Sequence, residues 1–506
     1  MWRSCRKARP LLEKDWTWRR IPQYSGAKFK RWIKIILIVN SLNILLRRFV
    51  LFQACLCLYS GSALAVSLEV SGSSNPGELV CPRFVASPAT RPSQPAVPQE
   101  ELEAPPLEDI EEIIELPGKH APQHLLMNSG RHSALPSIGF WGDSHLAAAF
   151  FSDELVSALG LSKEDAKPGF LPPTMGRGGV RLPIRKHCKS PGWRFANAYV
   201  ARGDMLKVGP ALTALENTRD DVALWVDFRY QDARPALEQL TVFFREIDDQ
   251  PVVLEVEVDD VAVRQVVLEK GESQLQLNGT QAFSQLKLRV AKGALAIEGF
   301  APVYVSPARL KLDIFGIPGA TARSWRVADP HYLRTRLTDP EYDLVILEYG
   351  TNEGADRKFD PDSYRASLTA SIRGMKEAFP NAQCMLIGPT DRGLLVKKHA
   401  HANTKKKGAG KNALKDRQRV LASRAELLRF AHVHARIAEI QNSLAQTYGC
   451  AFWDWQLAMG GPGGAYKWFY KTPPLMAKDL IHLTRKGYQE SARQFLEDSG
   501  IGEWLK

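Results

Sequence analysis

From residue 137 onward, short apolar runs alternate with longer stretches whose apolar residues recur every three or four positions. The runs Ser137–Gly142, Leu312–Gly316, Asp343–Tyr349, Gln383–Gly388 and Cys450–Trp455 read as strands. Helices are expected over His145–Leu159, Thr321–Leu337, Pro361–Ala378, Asp416–Thr447 and Arg485–Leu496. Strands that alternate with helices predict a parallel sheet covered on both faces. The expected fold class is therefore α/β, a flavodoxin-like doubly wound parallel sheet of five strands. Its site should lie at the carboxyl ends of the strands.

Between the first and second of these strands the period changes from helical to alternating. Val222–Tyr230, Leu240–Glu246, Val252–Val258, Val261–Leu268, Ser273–Leu277, Gln285–Val290 and Ala294–Phe300 read as β-strands, with Asp259-Asp260 and Asn278-Gly279 among the turns. This pattern predicts an antiparallel β-sandwich inserted as a unit over 205–305. The core then comprises 136–204 and 306–506. Strand pattern alone does not distinguish a polymer-binding module from one that frames the cleft.

Upstream the pattern fades. Residues 66–135 hold ten prolines and ten acidic against four basic residues, which reads as an acidic, Pro-rich linker. Residues 1–65 carry the apolar runs Ile33–Leu46 and Phe49–Tyr59, Arg47-Arg48 between them, and end in Ala63-Leu-Ala65. A positive flank, a short apolar run and small residues at the end predict a secretory signal cleaved after Ala65, with an uncleaved signal anchor as the alternative. The expected location is periplasmic or secreted, with a membrane tether through this segment if it is retained.

Charge matters only by position. The chain of 506 residues has a net charge of +12, but residues 1–48 alone hold 13 basic and two acidic residues. The rest is close to neutral, so no nucleic-acid partner is expected. A monomer is expected. Beyond the leader stand Cys81, Cys188, Cys384 and Cys450, none in a C-x-x-C pair or zinc-ligand spacing. Some could pair in an oxidising compartment, and buried free thiols are an equal reading for Cys384 and Cys450.

Four short elements close the predicted strands or precede the last helix. Gly142-Asp-Ser144 ends the first strand, and a serine at a strand-to-helix turn lifts its hydroxyl above the sheet. Gly316-Ile-Pro-Gly319 ends the second, where glycine lets backbone N–H groups approach a substrate. Gly350-Thr-Asn352-Glu353 ends the third and offers an amide donor. Asp479-Leu-Ile-His482 precedes the last helix, at a spacing that lets the carboxylate orient the imidazole. Each element alone is weak, since Ser144 by itself reads as a turn residue and His482 as a surface histidine. Their joint order, and the sheet that would gather them, carry the argument.

In these blocks the chain resembles the SGNH/GDSL hydrolases. The resemblance implies Ser144 as nucleophile, His482 as general base and Asp479 as its partner, with Gly319 and Asn352 in the oxyanion hole. It implies no metal or organic cofactor. His145 stands where the family commonly has Leu, and Glu353 where it has Asp. An exported chain with a β-sandwich between the first two blocks further resembles bacterial peptidoglycan O-acetylesterases, whose companion module is carbohydrate-binding-like. The expected activity is serine-esterase removal of O-acetyl groups from a cell-envelope polysaccharide, the expected partner being that O-acetylated polymer. A lipase or thioesterase, a polysaccharide O-acetyltransferase and a non-catalytic glycan-binding protein are the alternatives.

Two loops bear on the substrate path. Gly460–Tyr470 is glycine-rich with clustered aromatics, and reads equally as a sugar-stacking wall or as a loop anchored in the core. Lys397–Arg419 holds nine basic residues and one Asp, and reads as a solvated loop rather than as an attractor of anionic glycan.

Overall fold

Five parallel strands form the central sheet: β1 (Ser137–Gly142), β2 (Leu310–Gly316), β3 (Leu344–Glu348), β4 (Gln383–Ile387) and β5 (Ala451–Trp453). The computed structural model describes residues 64–73, 75–83, 102–106, 110, 134–230, 237–356, 358–397 and 424–505. The strand order is β5-β4-β3-β1-β2, with the two-residue strand Ala166–Lys167 added beside β2. This is the doubly wound order expected for a flavodoxin-like sheet. β1 and β3 are buried along their whole length, as strands covered on both faces must be.

Alternation along each strand sorts its side chains to two cores. Trp141, Val345, Leu347 and Leu386 face one, and Ile138, Phe140, Ile346 and Met385 face the other. Helices α3 (Pro361–Ala378) and α4 (Arg429–Tyr448) cover the first through Leu368, Ile372, Met375, Ile437 and Leu444. Asp360 caps α3 by accepting from the Asp362 N–H, with Pro361 at the first helical position, and Gly449 ends α4 at φ +65°. Helix α5 (Arg485–Ser499), capped by Thr484, covers the second core through Tyr488, Ala492 and Phe495.

The helix expected over His145–Leu159 is two helices, α1 (Ser144–Ala147) and α2 (Phe150–Ala158). Ala149 breaks them at φ +59°. The cause lies outside the helix: the Arg181 N–H takes the Ala147 carbonyl at 2.9 Å and the Arg181 guanidinium takes Ala148 O at 3.3 Å. Similarly, the expected Thr321–Leu337 helix is split into Arg323–Val327 and Pro330–Arg334. Asp329-Pro330 restarts it, because Pro disfavours the helical conformation in the residue before it.

The inserted unit is a sandwich of two sheets. One contains, in order, Leu64–Val70, Glu272–Phe283, Leu237–Glu246, Leu295–Tyr304, Thr213–Asn217 and Trp193–Asn197. The other contains Ala262–Leu268, Val252–Val258, Gln285–Lys292, Val222–Asp227 and Lys186–Lys189. The observed unit is therefore wider than 205–305. Lys186–Lys189 and Trp193–Asn197 lack a clear alternating apolar pattern, and only their pairing with Val222–Asp227 and Thr213–Asn217 makes them strands.

The linker expectation also needs correction. Leu64–Val70 is an edge strand, parallel to Glu272–Phe283, so its backbone groups are satisfied by a partner that local sequence does not reveal. The expected cleavage point after Ala65 falls inside this strand; residues 1–63 lie outside the described residues. Farther along, Leu102–Glu103 pairs with Val396–Lys397 and Ile110 is fully buried in the second core. Two disulfides, Cys81–Cys188 and Cys384–Cys450, tie the same chain together.

Sandwich and core share one interior. Phe170 packs between Phe243 of the sandwich and Phe315 of β2, with ring centroids 6.0 and 5.9 Å away. The Trp141 indole N–H donates to Pro210 O at 2.7 Å.

Candidate active site

The carboxyl ends of β1, β2 and β3 meet where the order turns from β1 to β2 on one side and to β3 on the other. Ser144 follows β1 directly and opens α1. Its Oγ lies 2.9 Å from Nε2 of His482. The opposite ring nitrogen, Nδ1, lies 2.7 Å from Oδ2 of Asp479. Asp479 Oδ1 accepts the backbone N–H groups of Ile481 and His482 at 3.0 and 2.9 Å, so the turn between them is held by the carboxylate it presents. Leu480 completes that turn at φ +54°, with its carbonyl taken by Gly393 N–H at 2.9 Å.

The electrostatics fit a base and its orienter. Burial works to raise the Asp479 carboxyl, but hydrogen bonds from the His482 ring and from two backbone N–H groups outweigh it and hold Asp479 well below the usual carboxylate range. In return the Asp479 hydrogen bond raises His482 above its ordinary value, against the opposing effect of burial. Asp479 is thus an anion at working pH, and the imidazole is readier to accept a proton than a free one.

Gly319 and Asn352 both reach this end of the sheet. Gly319 adopts φ +82°, a conformation that glycine takes without strain. The Asn352 amide donates to Asp143 Oδ2 at 3.1 Å and to Ala320 O at 2.8 Å. Both its hydrogens are engaged in this state, so donation to an oxyanion requires one of them to turn away or be shared. That is a difference from the free donor the sequence suggests, and it arises because Asp143 folds back beneath the loop.

Beneath the serine lies a buried acidic layer. The Asp143 side chain accepts the His145 N–H at 2.9 Å, and its own N–H donates to Glu348 Oε2 at 3.0 Å. Burial raises both carboxyls, and the neighbouring Asp143 raises Glu348 further. Glu353 bridges two of the loops, accepting Ala322 N–H at 2.9 Å and Gly350 N–H at 3.1 Å. Burial pushes its carboxyl up to about 7.

His145, the other departure from the family pattern, is fully buried between the Tyr488 hydroxyl (3.1 Å) and Thr390 Oγ1 (3.2 Å). Burial pushes it down to about 3. It is therefore neutral, and places no cation 5.5 Å from the His482 ring.

Residues absent from the sequence reading surround these groups. Glu348 is missed because an acid at the end of an apolar strand reads as its polar terminus. Arg177 and Tyr199 are missed because neither lies in a block; both contact the Pro318 carbonyl of the Gly319 loop, at 3.0 and 3.3 Å. The one available signal was the run Gly176-Arg-Gly-Gly179 between β1 and the sandwich.

The aromatic loop is anchored rather than open. Tyr466 and Trp468 are buried in the second core, and the Tyr466 hydroxyl donates to Leu427 O at 3.0 Å. Asp391 accepts the N–H groups of Gly463 and Ala465 at 3.1 and 2.8 Å, fixing the glycine turn. The stacking-wall reading of Gly460–Tyr470 is thus set aside for Tyr466 and Trp468. Of the basic loop, residues 398–419 lie outside the described residues.

The model of the GDSL-like lipase/acylhydrolase family matches residues 300–490. No curated protein matches the chain. Among solved structures, a peptidoglycan O-acetylesterase is 22% identical, covers 73% of this chain and 91% of its own, and superposes with a TM-score of 0.52. A family two carbohydrate esterase from Cellvibrio japonicus (10% identity, 63% and 99% covered, TM-score 0.23) and an acetylxylan esterase from Geobacillus stearothermophilus (16%, 39% and 75%, 0.26) are more distant.

Proposed function

We propose that this chain, whose residues 300–490 match the model of the GDSL-like lipase/acylhydrolase family, is a carboxylic ester hydrolase that removes O-acetyl groups from a cell-envelope polysaccharide, namely peptidoglycan. The observation that carries the reaction type is the chain Ser144–His482–Asp479, with contacts of 2.9 and 2.7 Å. Support for the substrate comes from the fold's likeness to a peptidoglycan O-acetylesterase and from a leader with the features of an export signal. On this reading the protein works outside the cytoplasm.

Ser144 Oγ attacks the acetyl carbonyl carbon and its proton passes to His482 Nε2. The Nδ1–H stays on the ring, hydrogen-bonded to Asp479, whose charge offsets the imidazolium. The tetrahedral oxyanion is held by the N–H groups of Ser144 and Gly319, with Asn352 joining when one amide hydrogen turns from Asp143. Collapse breaks the bond to the sugar oxygen, which takes the proton from Nε2 and leaves as the alcohol. Water then attacks the acetyl-enzyme, gives a proton to Nε2, and acetate leaves as Ser144 recovers its hydrogen. No step calls for another group.

Acetate release from O-acetylated peptidoglycan, measured beside acetylated xylan, tests the substrate. Faster release from xylan would overturn the peptidoglycan assignment while leaving the esterase chemistry in place. A series of p-nitrophenyl esters should show activity collapsing beyond short acyl chains.

A further inference from the structure

The oxyanion loop has a second support that comes from the opposite direction. Arg177 stands in the segment between β1 and the sandwich, in a turn whose glycines Gly176 and Gly179 have φ +71° and +80°. Its Nη2 donates to Pro318 O at 3.0 Å, and the Tyr199 hydroxyl donates to the same oxygen at 3.3 Å. The other arm of the guanidinium, Nη1, donates to Asn197 Oδ1 at 2.6 Å, an oxygen that also accepts the Thr213 hydroxyl at 2.9 Å. The guanidinium lies over the Phe195 ring, 5.1 Å from its centroid. Asn197, Thr213 and Phe195 all belong to strands of the sandwich.

The Pro318 carbonyl and the Gly319 N–H are the two ends of one peptide unit. That unit is planar and trans, so its C=O and N–H point in opposite directions, and fixing one aims the other. The residue that follows is a glycine at φ +82°, with no Cβ to bias rotation of the plane. Hydrogen bonds must therefore set its direction. A rigid fork with two donors, seated on an aromatic face, is well suited to that task.

We propose that Arg177, assisted by Tyr199, is a positioning residue of the oxyanion site: by gripping the Pro318 carbonyl from the sandwich side, it aims the Gly319 N–H at the developing negative charge. The cation at the carbonyl end also polarises the peptide, which strengthens its N–H as a donor. The inserted sandwich is thereby a working part of the chemical step and not only a platform beside it. This inference rests on the reading of Gly319 as an oxyanion donor.

The test uses the full chain and a small acetyl ester, on which remote polymer contacts have no bearing. Arg177→Met should lower kcat about 10- to 100-fold, the scale of weakening one oxyanion donor, with KM changed less than about threefold. Binding of a small alkylboronic acid, which forms a tetrahedral anionic adduct with the serine, should weaken by a factor similar to the loss in kcat/KM. Arg177→Lys should recover part of the loss, and Tyr199→Phe, which removes only a hydroxyl, should cost several-fold in kcat. If Arg177→Met does not fold, Arg177→Lys and Tyr199→Phe decide the matter by the same kcat-against-KM split. A kcat within twofold of the parent in those variants, with Ser144→Ala inactive, overturns the inference and leaves the esterase reading standing. A rise in KM at constant kcat also overturns it, since Arg177 would then contact substrate. Activity retained by Ser144→Ala overturns the esterase reading itself.

Discussion

Ser144 Oγ and His482 Nε2 lie 2.9 Å apart although 338 positions separate the two residues in the chain. Only the parallel sheet brings them together: β1 delivers the serine at its carboxyl end, and the turn before α5 delivers the histidine to the same end. Ser144→Ala should therefore abolish ester hydrolysis, by roughly 10⁶-fold in kcat on the scale of a well-studied serine hydrolase. Asp479→Asn should be milder than His482→Ala, because the carboxylate orients the ring and exchanges no proton. Initial rates with a small acetyl ester check both.

The pH dependence follows from the sign of the His482 shift. On the proposed mechanism His482 acts as base only when neutral, and Asp479 raises its pKa above the ordinary imidazole value. Log kcat/KM should rise with pH and level off, with its inflection above about 6.5. Asp479→Asn removes the stabilisation of the imidazolium, so the inflection should move to lower pH while the plateau falls. An unmoved inflection would mean that another group sets the acid limb.

Asn352 donates both amide hydrogens inward, to Asp143 and to Ala320 O. Asn352→Ala should lower kcat by about 10²-fold with KM nearly constant if one of these hydrogens turns to the oxyanion. Asn352→Asp should be worse, because it sets a carboxylate against Asp143. A change confined to thermal stability would restrict Asn352 to tying the two loops together.

Phe170 joins sandwich and core, packed between Phe243 and Phe315 and 1% exposed. Phe170→Ala should cost about 3–5 kcal/mol, measured by denaturant unfolding. For the same reason, deletion of the sandwich should yield insoluble or unfolded protein. A soluble, folded core alone would show that this shared packing is dispensable.

Cys81–Cys188 and Cys384–Cys450 are bonded. Alkylation of the unfolded protein without reductant should leave all four unmodified, and each bond closes a loop long enough for its loss to cost about 2–5 kcal/mol. Modification of Cys384 or Cys450 under these conditions would return them to the free-thiol reading.

The sequence by itself determined whatever depends on near neighbours along the chain. Ser137–Gly142, Pro361–Ala378 and Val252–Val258 have their observed limits in the sequence pattern, because strand and helix periods are local and their caps adjoin them. It also determined the order of Ser144, Gly319, Asn352, Asp479 and His482, and hence their meeting at one end of a parallel sheet. Tertiary structure decided what depends on partners far away in the chain. Leu64–Val70 is a strand only because Glu272–Phe283 lies beside it, and the helix after Ser144 breaks at Ala149 because Arg181 takes the carbonyls before it. Tyr466 and Trp468 face the core rather than the cleft because Asp391 pins their turn. The neutrality of His145, the raised carboxyls of Asp143 and Glu348 and the grip of Arg177 on Pro318 follow from burial and from contacts across the fold. Neither is encoded in the spacing of residues along a segment, since desolvation and a hydrogen bond's direction exist only once the chain is packed.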